Sequence, residues 1–280
     1  MMKDGMGYGA DGPGTVPDPL SYAVMERDRN TIAMVERAID RAEVMLAYQP
    51  VMLAGRPDRP AFFEGLIRVL DSTGRVIPAR DFFPQVEDRE LGRRLDVLAL
   101  RAGLAALAAT PTLRLSINMS ARSIDYPPWT AELERGLAAH PLVAERLILE
   151  ITESSAITMP RVVIDFIARL QDRGISFALD DFGSGYTSMR YLKDFCFDIL
   201  KMDGEFCTGA AESADNRALI RAVVSIAQHF DMLVVAESVE TSSDAAALTD
   251  LGVDCLQGYW FGAPALRPRW RSCVPEAKTG

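Results

Sequence analysis

Short apolar runs alternate along the chain with longer segments in which apolar residues recur every three or four positions. The short runs predict β-strands at 44–53, 62–70, 113–120, 147–153, 175–182, 199–203, 233–240 and 255–260. The longer segments predict helices, of which the clearest are 91–109, 161–174 and 216–230. Strands that alternate with helices in this way are typical of a parallel β/α fold.

The number of strands and one short connection favour an irregular barrel. Eight strands with intervening helices suggest closure into a modified TIM (β/α)8 barrel over residues 44–266. Only segment 54–60 joins the first two strands, and because a parallel crossover needs about a dozen residues, we expect this pair to be antiparallel. An open doubly wound sheet is the alternative, although no G-x-G-x-x-G sequence opens a predicted helix.

The two ends of the chain depart from this alternation. Residues 1–20 are rich in Gly and Pro and poor in large apolar side chains, which predicts a disordered tail. Residues 21–43 carry apolar residues at helical spacing and predict a leading helix. Residues 267–280 predict a polar C-terminal tail.

Composition narrows the range of functions. The chain has 280 residues, 49% hydrophobic and 25% charged, which is typical of a globular protein with an ample core. Its net charge of −9 argues against binding to polymeric nucleic acid, although a metal could supply positive charge locally for a small nucleotide. No apolar run reaches the roughly 18 residues of a membrane span, and the start of the chain lacks the apolar core of a signal peptide.

The cysteines and histidines limit which cellular compartment and which kind of metal site are expected. Four cysteines without a C-x-x-C pair fit a reducing compartment, so we expect a cytoplasmic protein. Two histidines outside any metal-ligand spacing leave oxygen atoms as the ligands of any bound metal. Oxygen ligands favour Mg²⁺ or Mn²⁺.

Polar residues cluster where the predicted strands end. They are Asn118, Glu150 with Glu153, Asp180 with Asp181, Lys201 with Asp203, Glu237 with Glu240, and Gln257, while Glu64 lies inside the second strand. A barrel gathers its strand ends at one mouth, where such residues are typically catalytic. Because side chains two residues apart share a face of a strand, acids three apart should point differently, so we expect one of each such pair to hold a loop. Two adjacent aspartates can both reach the site only where their strand has ended.

Carboxylates gathered at one mouth need a counter-charge. One lysine, Lys201, would face five acids: Glu64, Glu150, Asp180, Asp181 and Glu237. One or two divalent cations would supply the missing positive charge, and a two-metal site that shares a carboxylate is suited to phosphodiester hydrolysis. Metal-assisted proton abstraction of the enolase kind is the alternative chemistry.

Eight stretches of the chain carry a family resemblance. In order, they are YQPV (48–51), EGLIR (64–68), SINMS (116–120), LEITES (149–154), ALDDFGSGYTSMRYL (178–192), ILKMD (199–203), VVAESVET (234–241) and QGYWFGAP (257–264). Together they cover about residues 33–266 and resemble the EAL family of cyclic di-GMP phosphodiesterases. The resemblance implies hydrolysis of cyclic di-GMP to linear pGpG with Mg²⁺ or Mn²⁺, commonly in a homodimer that pairs near the double-aspartate loop.

The resemblance also implies a role for each matching residue. A first metal ion would be bound by Glu64, Asn118, Glu150 and Asp180, and a second by Asp180, Asp181 and Glu237. Lys201 would hold the attacking water, and Glu237 would act as the base. Substrate contacts would come from Gln49, Leu66, Arg68 and Gln257.

Other matching positions would support the site rather than form it. Glu153 would anchor the loop that follows the double aspartate, and Gly183 and Gly185 would let this loop move. Asp203 and Glu240 are further candidates for a supporting role.

Three positions depart from the family pattern. Gly65 replaces the alanine of Glu-Ala-Leu, Val69 replaces a tryptophan, and Ser238 replaces a glycine. The methyl group missing at Gly65 is expected to loosen the backbone next to Glu64. This departure supports a second hypothesis, a receptor that binds cyclic di-GMP without cutting it. A third hypothesis, a partner-binding scaffold with a vestigial site, rests on the leading helix and the acidic surface.

Overall fold

The first strand determines how the sheet closes. In the computed structural model, which describes residues 19–184, 192–268 and 270, strand β1 (Val44–Leu53) runs antiparallel to both its neighbours, β2 (Arg56–Leu70) and β9 (Cys255–Gln257). The other strands are β3 (Val76–Pro78), β4 (Leu115–Asn118), β5 (Leu147–Thr152), β6 (Ser176–Phe182), β7 (Ile199–Met202) and β8 (Leu233–Ala236). The order β1-β9-β8-β7-β6-β5-β4-β2, with β1 also paired to β2, closes an eight-stranded barrel, and β3 lies outside it on β2.

This pairing confirms the predicted modified TIM barrel with an antiparallel first strand. All other neighbouring strands of the barrel pair in parallel. Because the sheet closes on itself, the alternative of an open doubly wound sheet is wrong. β2 begins at Arg56, earlier than predicted, so that only a two-residue turn separates it from β1. The three-residue strand β3 is too short for its alternation to be recognised in the sequence.

Eight α-helices surround the described part of the barrel: α1 (Pro19–Asp40), α2 (Glu90–Ala109), α3 (Pro127–Ala139), α4 (Glu153–Thr158), α5 (Pro160–Gln171), α6 (Gly204–Cys207), α7 (Ala214–His229) and α8 (Ser242–Asp250). α5 illustrates how they form. It begins at a proline, which suits the first turn of a helix because no N–H is needed there. Its buried residues Val163, Phe166, Ile167 and Leu170 form one apolar stripe toward the sheet. None of the described helices is long and apolar enough to cross a membrane.

The chain ends are described only in part. α1 occupies the region of the predicted leading helix, although it begins at Pro19 and so includes two residues assigned to the tail. The rest of the predicted N-terminal tail lies outside the described residues, as do Gly185 and most of the predicted C-terminal tail.

An apolar layer inside the barrel positions the polar residues of the strand ends. It consists of Val51, Phe62, Ile148, Ala178, Ile199, Val235 and Cys255. Each of these lies two positions along the chain from a polar residue. In the same order, the polar residues are Gln49, Glu64, Glu150, Asp180, Lys201, Glu237 and Gln257. Because alternate residues of a strand share a face, the polar residues form the next layer, at the end of the barrel where the parallel strands finish.

Candidate active site

Lys201 lies at the centre of the polar layer and is only 1% exposed. Its Nζ atom is close to four carboxylates, at 2.7 Å from Glu237, 2.8 Å from Glu150, 2.8 Å from Asp180 and 3.6 Å from Glu64. Burial disfavours the charged ammonium, but these carboxylates outweigh it and hold the pKa of Lys201 well above its usual range. The ammonium is therefore the internal cation of the acidic cluster.

Two amide side chains hold Glu64. Asn118 Nδ2 donates to Glu64 Oε1 at 2.8 Å, and Gln257 Nε2 donates to Glu64 Oε2 at 2.6 Å. Gln257 Nε2 also lies 3.2 Å from Gln49 Oε1, which links the antiparallel strand β1 to the cluster. Burial opposes ionisation of Glu64, but Lys201 and the two amides outweigh it and lower the pKa of Glu64. Glu64 is thus a fixed, ionised carboxylate.

Three of the remaining acids, Glu150, Glu237 and Asp181, are poorly compensated. Burial raises the pKa of Glu150 well above its usual range in spite of Lys201, and it raises the pKa of Glu237 to about 8. Burial and the neighbouring Asp180 raise the pKa of Asp181 to about 6. Removing charged groups from water favours their neutral forms unless further positive charge reaches them. One lysine therefore does not balance this cluster, as the charge count from the sequence indicates.

Both adjacent aspartates reach the cluster, but not because the strand has ended. β6 continues through both to Phe182, and its pairing with β7 is irregular between Leu179 and Phe182. Asp181 has a left-handed backbone with φ of 55°, which is uncommon for a residue other than glycine. Oxygen atoms of Asp180, Asp181 and Glu237 consequently lie within 4.8 Å of one another. The expectation that β6 ends before both can reach the site is wrong, because an irregularity within the strand turns the second side chain.

The donor atoms of the cluster fit a divalent cation. Carboxylate and amide oxygens are the ligands that Mg²⁺ and Mn²⁺ prefer. Within the described residues, the buried Oε1 atom of Glu150 has no hydrogen-bond partner, although Oε2 of the same residue contacts Lys201. A buried carboxylate oxygen without a partner is costly, and a cation would satisfy it.

The supporting residues lie around this cluster. Glu153 is the first residue of α4, and its Oε2 atom accepts a hydrogen bond from the Gly183 N–H at 3.2 Å. The Asp203 carboxylate accepts from the Glu205 N–H at 2.7 Å and so caps α6. Glu240 lines the cavity above the cluster.

The cavity has a volume of about 1080 Å³ and opens above the acidic cluster. Gln49, Leu66 and Gln257 line it, whereas Arg68 does not and instead donates to the Ile67 carbonyl at 2.9 Å. Several further residues that the sequence pattern did not predict also line the cavity, among them Asp96, Ser120 and Tyr259.

Asp96 could have been found from the helical pattern, because it is an acid among the buried residues of α2. Its Oδ2 atom accepts hydrogen bonds from the Ser120 N–H at 3.0 Å and the Ser123 hydroxyl at 2.6 Å. Burial outweighs these donors and raises the pKa of Asp96 to about 7. Asp96 therefore holds the segment that follows Asn118.

Gly65 leaves no empty space beside Glu64. A Cβ atom at Gly65 would lie 2.7 Å from Cδ1 of Ile117, 3.2 Å from the Ser116 carbonyl oxygen and 3.3 Å from Cδ1 of Leu46. The space of the missing methyl group is thus already filled by a side chain of the neighbouring strand. That Gly65 loosens the backbone beside Glu64 stays a prediction.

The comparison with known proteins extends over most of the chain. The EAL domain family matches residues 32–264. An "Uncharacterized signaling protein" of Caulobacter vibrioides is 34% identical over 249 residues, which are 88% of this chain and 30% of the relative. The Escherichia coli K12 protein named "Cyclic di-GMP phosphodiesterase PdeF" is 30% identical over 243 residues, which are 84% of this chain and 32% of the relative.

A solved structure shares the fold. The "PaMucR Phosphodiesterase, c-di-GMP complex" superposes with a TM-score of 0.74 and 28% identity, and the match covers 84% of this chain and 97% of that one. The chain spans about a third of the length of the curated relatives it matches first. The matched residues include every strand that carries the polar layer. The chain belongs to the EAL domain family.

Proposed function

We propose that this protein is a metal-dependent phosphodiesterase that hydrolyses cyclic di-GMP to linear pGpG. The proposal rests above all on the convergence of five acids, Asn118 and Lys201 at one end of the barrel, beneath a cavity of about 1080 Å³. Such a volume suits a ligand larger than most drug-sized molecules. The E. coli relative is named a cyclic di-GMP phosphodiesterase, and the PaMucR phosphodiesterase was solved as a c-di-GMP complex.

The ligand set would hold two Mg²⁺ or Mn²⁺ ions. Glu64, Asn118, Glu150 and Asp180 would bind one, and Asp180, Asp181 and Glu237 would bind the other. When bound, such ions activate water and offset the charge of the phosphate oxygens. The unsatisfied oxygen of Glu150 and the raised pKa of Glu237 both support this assignment, because each calls for added positive charge.

Proton transfer would be the task of Glu237 and Lys201. The Glu237 carboxylate faces the cavity and would take the proton of the attacking water. The Lys201 ammonium, 2.7 Å from Glu237, would orient this water and stabilise the carboxylate until it is protonated. As the oxygen of this water bonds to phosphorus and the phosphodiester P–O bond breaks, the proton would pass from Glu237, directly or through water in the cavity, to the leaving oxygen, which becomes a hydroxyl of pGpG.

Substrate positioning would come from the cavity wall. Gln49 and Gln257 present amide groups beside Glu64, and Leu66 presents an apolar surface. Arg68 would have to turn from the Ile67 carbonyl to pair with a phosphate, which its fork of N–H donors suits.

We also propose that the protein works in the cytoplasm and as a homodimer.

The test is a turnover assay with a metal titration. Purified protein is incubated with cyclic di-GMP and Mg²⁺ or Mn²⁺, with and without chelator, and pGpG is measured by chromatography. Glu132→Gln is a matched control, because this buried acid on α3 pairs with Arg101 away from the cavity. We expect pGpG in the wild type and the control only with metal.

Two outcomes would contradict the proposal. Absence of pGpG with folded protein at micromolar concentration would exclude the hydrolase. Tight cyclic di-GMP binding that survives chelation, without pGpG, would identify a receptor instead.

A further inference from the structure

The one-turn helix α6 lies between the C-terminal ends of β6 and β8, where three of the five acids, Asp180, Asp181 and Glu237, are found. It follows β7, the strand of Lys201, and is tied to β6 because the Asp203 N–H donates to the Phe182 carbonyl at 3.2 Å. No proposed metal ligand lies on α6 itself. Its two ends nevertheless touch the residues that follow the ligands on β6 and β8.

The C-terminal half of α6 covers the loop after the double aspartate. A Cβ atom at Gly183 would lie 2.8 Å from Cζ of Phe206, with another ring carbon closer still. Gly183 also has a left-handed backbone with φ of 99°. Only glycine meets both requirements without strain. Contact with the Phe206 ring and the hydrogen bond to the Glu153 carboxylate therefore fix this backbone two residues after Asp181.

The N-terminal end of α6 leaves space for Ser238. A Cβ atom at Gly204 would lie 2.6 Å from Cβ of Ser238, and the Ser238 Oγ atom would be closer still. Ser238 directly follows Glu237 and has a left-handed backbone with φ of 54°. A serine at 238 thus fits because residue 204 has no side chain. This pairing accompanies the departure from the family glycine at position 238.

We propose that α6 is a positioning element for the acidic cluster, in which Phe206 sets the Asp180–Asp181 segment and the Gly204–Ser238 contact sets Glu237. The inference rests on the proposed metal site, since it concerns the geometry of those ligands. Both contacts join segments whose left-handed residues, Asp181 and Ser238, need support from their surroundings. One helical turn would therefore hold the C-terminal ends of β6 and β8 in fixed positions relative to each other.

The experiment measures Mn²⁺ binding by calorimetry, with Mn²⁺ alone and without nucleotide. The variants are Phe206→Leu, Gly204→Ala, Ser238→Gly and the double variant Gly204→Ala/Ser238→Gly. We expect Gly204→Ala and Phe206→Leu each to weaken Mn²⁺ binding by about tenfold, as is typical when a residue that orients metal ligands is changed. In the double variant we expect binding to return nearly to that of wild type.

Two controls separate positioning from loss of stability. Gly55→Ala adds a methyl group that has no atom within 4 Å, and Phe166→Leu replaces a buried ring on α5 by a smaller side chain. We expect Phe166→Leu to lower the unfolding temperature while leaving Mn²⁺ affinity unchanged. The inference is overturned if this control weakens binding as much as Phe206→Leu does, or if Ser238→Gly fails to rescue Gly204→Ala.

A second measurement keeps the inference testable if the metal site itself fails. Amide hydrogen exchange is recorded in chelator for residues 180–184 and 237–240. We expect Phe206→Leu to speed exchange in the first segment and Gly204→Ala in the second, each without a matching change in α2. If wild type binds no Mn²⁺, the proposed function fails, and unchanged exchange in both variants would then overturn the positioning role as well.

Discussion

Substituting Gly65 by alanine, which restores the family's Glu-Ala-Leu sequence, should destabilise this protein. Gly65 pairs with Ile117 across β2 and β4, directly beside Glu64 and Asn118. The Ile117 Cδ1 atom also lies 2.7 Å from where a Cβ at Gly103 would be, so it occupies a space between two glycines. Ile117 is only 1% exposed and has little room to move away.

Two opposing terms set the magnitude. Alanine in place of glycine within a strand gains about 0.5–1 kcal/mol from reduced backbone freedom in the unfolded chain. Adding a methyl group to a packed core costs about 1–3 kcal/mol. A distance of 2.7 Å to a confined side chain, with a backbone oxygen at 3.2 Å, places Gly65→Ala well within the overpacked range. We therefore expect a net loss of about 1–2 kcal/mol in the free energy of unfolding.

The assay is urea denaturation in chelator for wild type, Gly65→Ala, Ile117→Val and the double variant. Ile117→Val alone removes one methyl group from the core and should cost about 1 kcal/mol. In the double variant the new methyl group takes the vacated space, so the loss should be clearly smaller than the sum of the two single losses. Gly55→Ala is the control, because its Cβ has open space. Strictly additive losses, or a Gly65→Ala protein more stable than wild type, would refute this packing argument.

Three further predictions concern charge. Glu237→Ala should lower kcat by two to four orders of magnitude, which is about 3–5 kcal/mol in the barrier, while cyclic di-GMP still binds through the cavity wall. Near-normal turnover of this variant would contradict the role of Glu237 as base. Lys201→Met should lower the free energy of unfolding in chelator by about 3–5 kcal/mol, because it leaves buried carboxylates without their cation, and Mn²⁺ should restore part of this loss. Equal stability of wild type and variant in urea would contradict this role of Lys201. Asp96 has a pKa of about 7 in the folded protein against 3.8 as its ordinary value, so the folded state binds the extra proton and stability should fall as pH rises from about 4 to about 7. The part of this fall that Asp96→Asn removes should be on the order of 4 kcal/mol. If the stability of wild type and variant depends on pH in the same way, the raised pKa of Asp96 is disproved.

Much of the polar layer follows from strand parity alone. Glu150 shares a face with Ile148, and Glu237 with Val235, as the alternation of the sequence requires. The same reasoning separates Glu150 from Glu153, which lies on α4 and holds Gly183. These placements depend only on residues a few positions apart, and neighbours in the chain have fixed relative directions within a strand.

Other features could not be predicted in this way. The left-handed Asp181 turns a second aspartate toward the cluster inside a continuous strand, where alternation alone points it away. Asp96 meets the segment after Asn118 through a side chain on a different element. Both depend on how separate elements are packed against one another.

The sequence by itself determined the barrel, its antiparallel first strand and the excess of acids over lysine at the strand ends. Those properties depend on periodicity, connection length and the count of charges, all of which are local or additive along the chain. Tertiary structure alone decided that Ile117 fills the space beside Gly65, and that Gly204 makes space for Ser238. These are contacts of a few ångströms between residues far apart in sequence, and only close packing of the folded chain determines which side chain occupies each space.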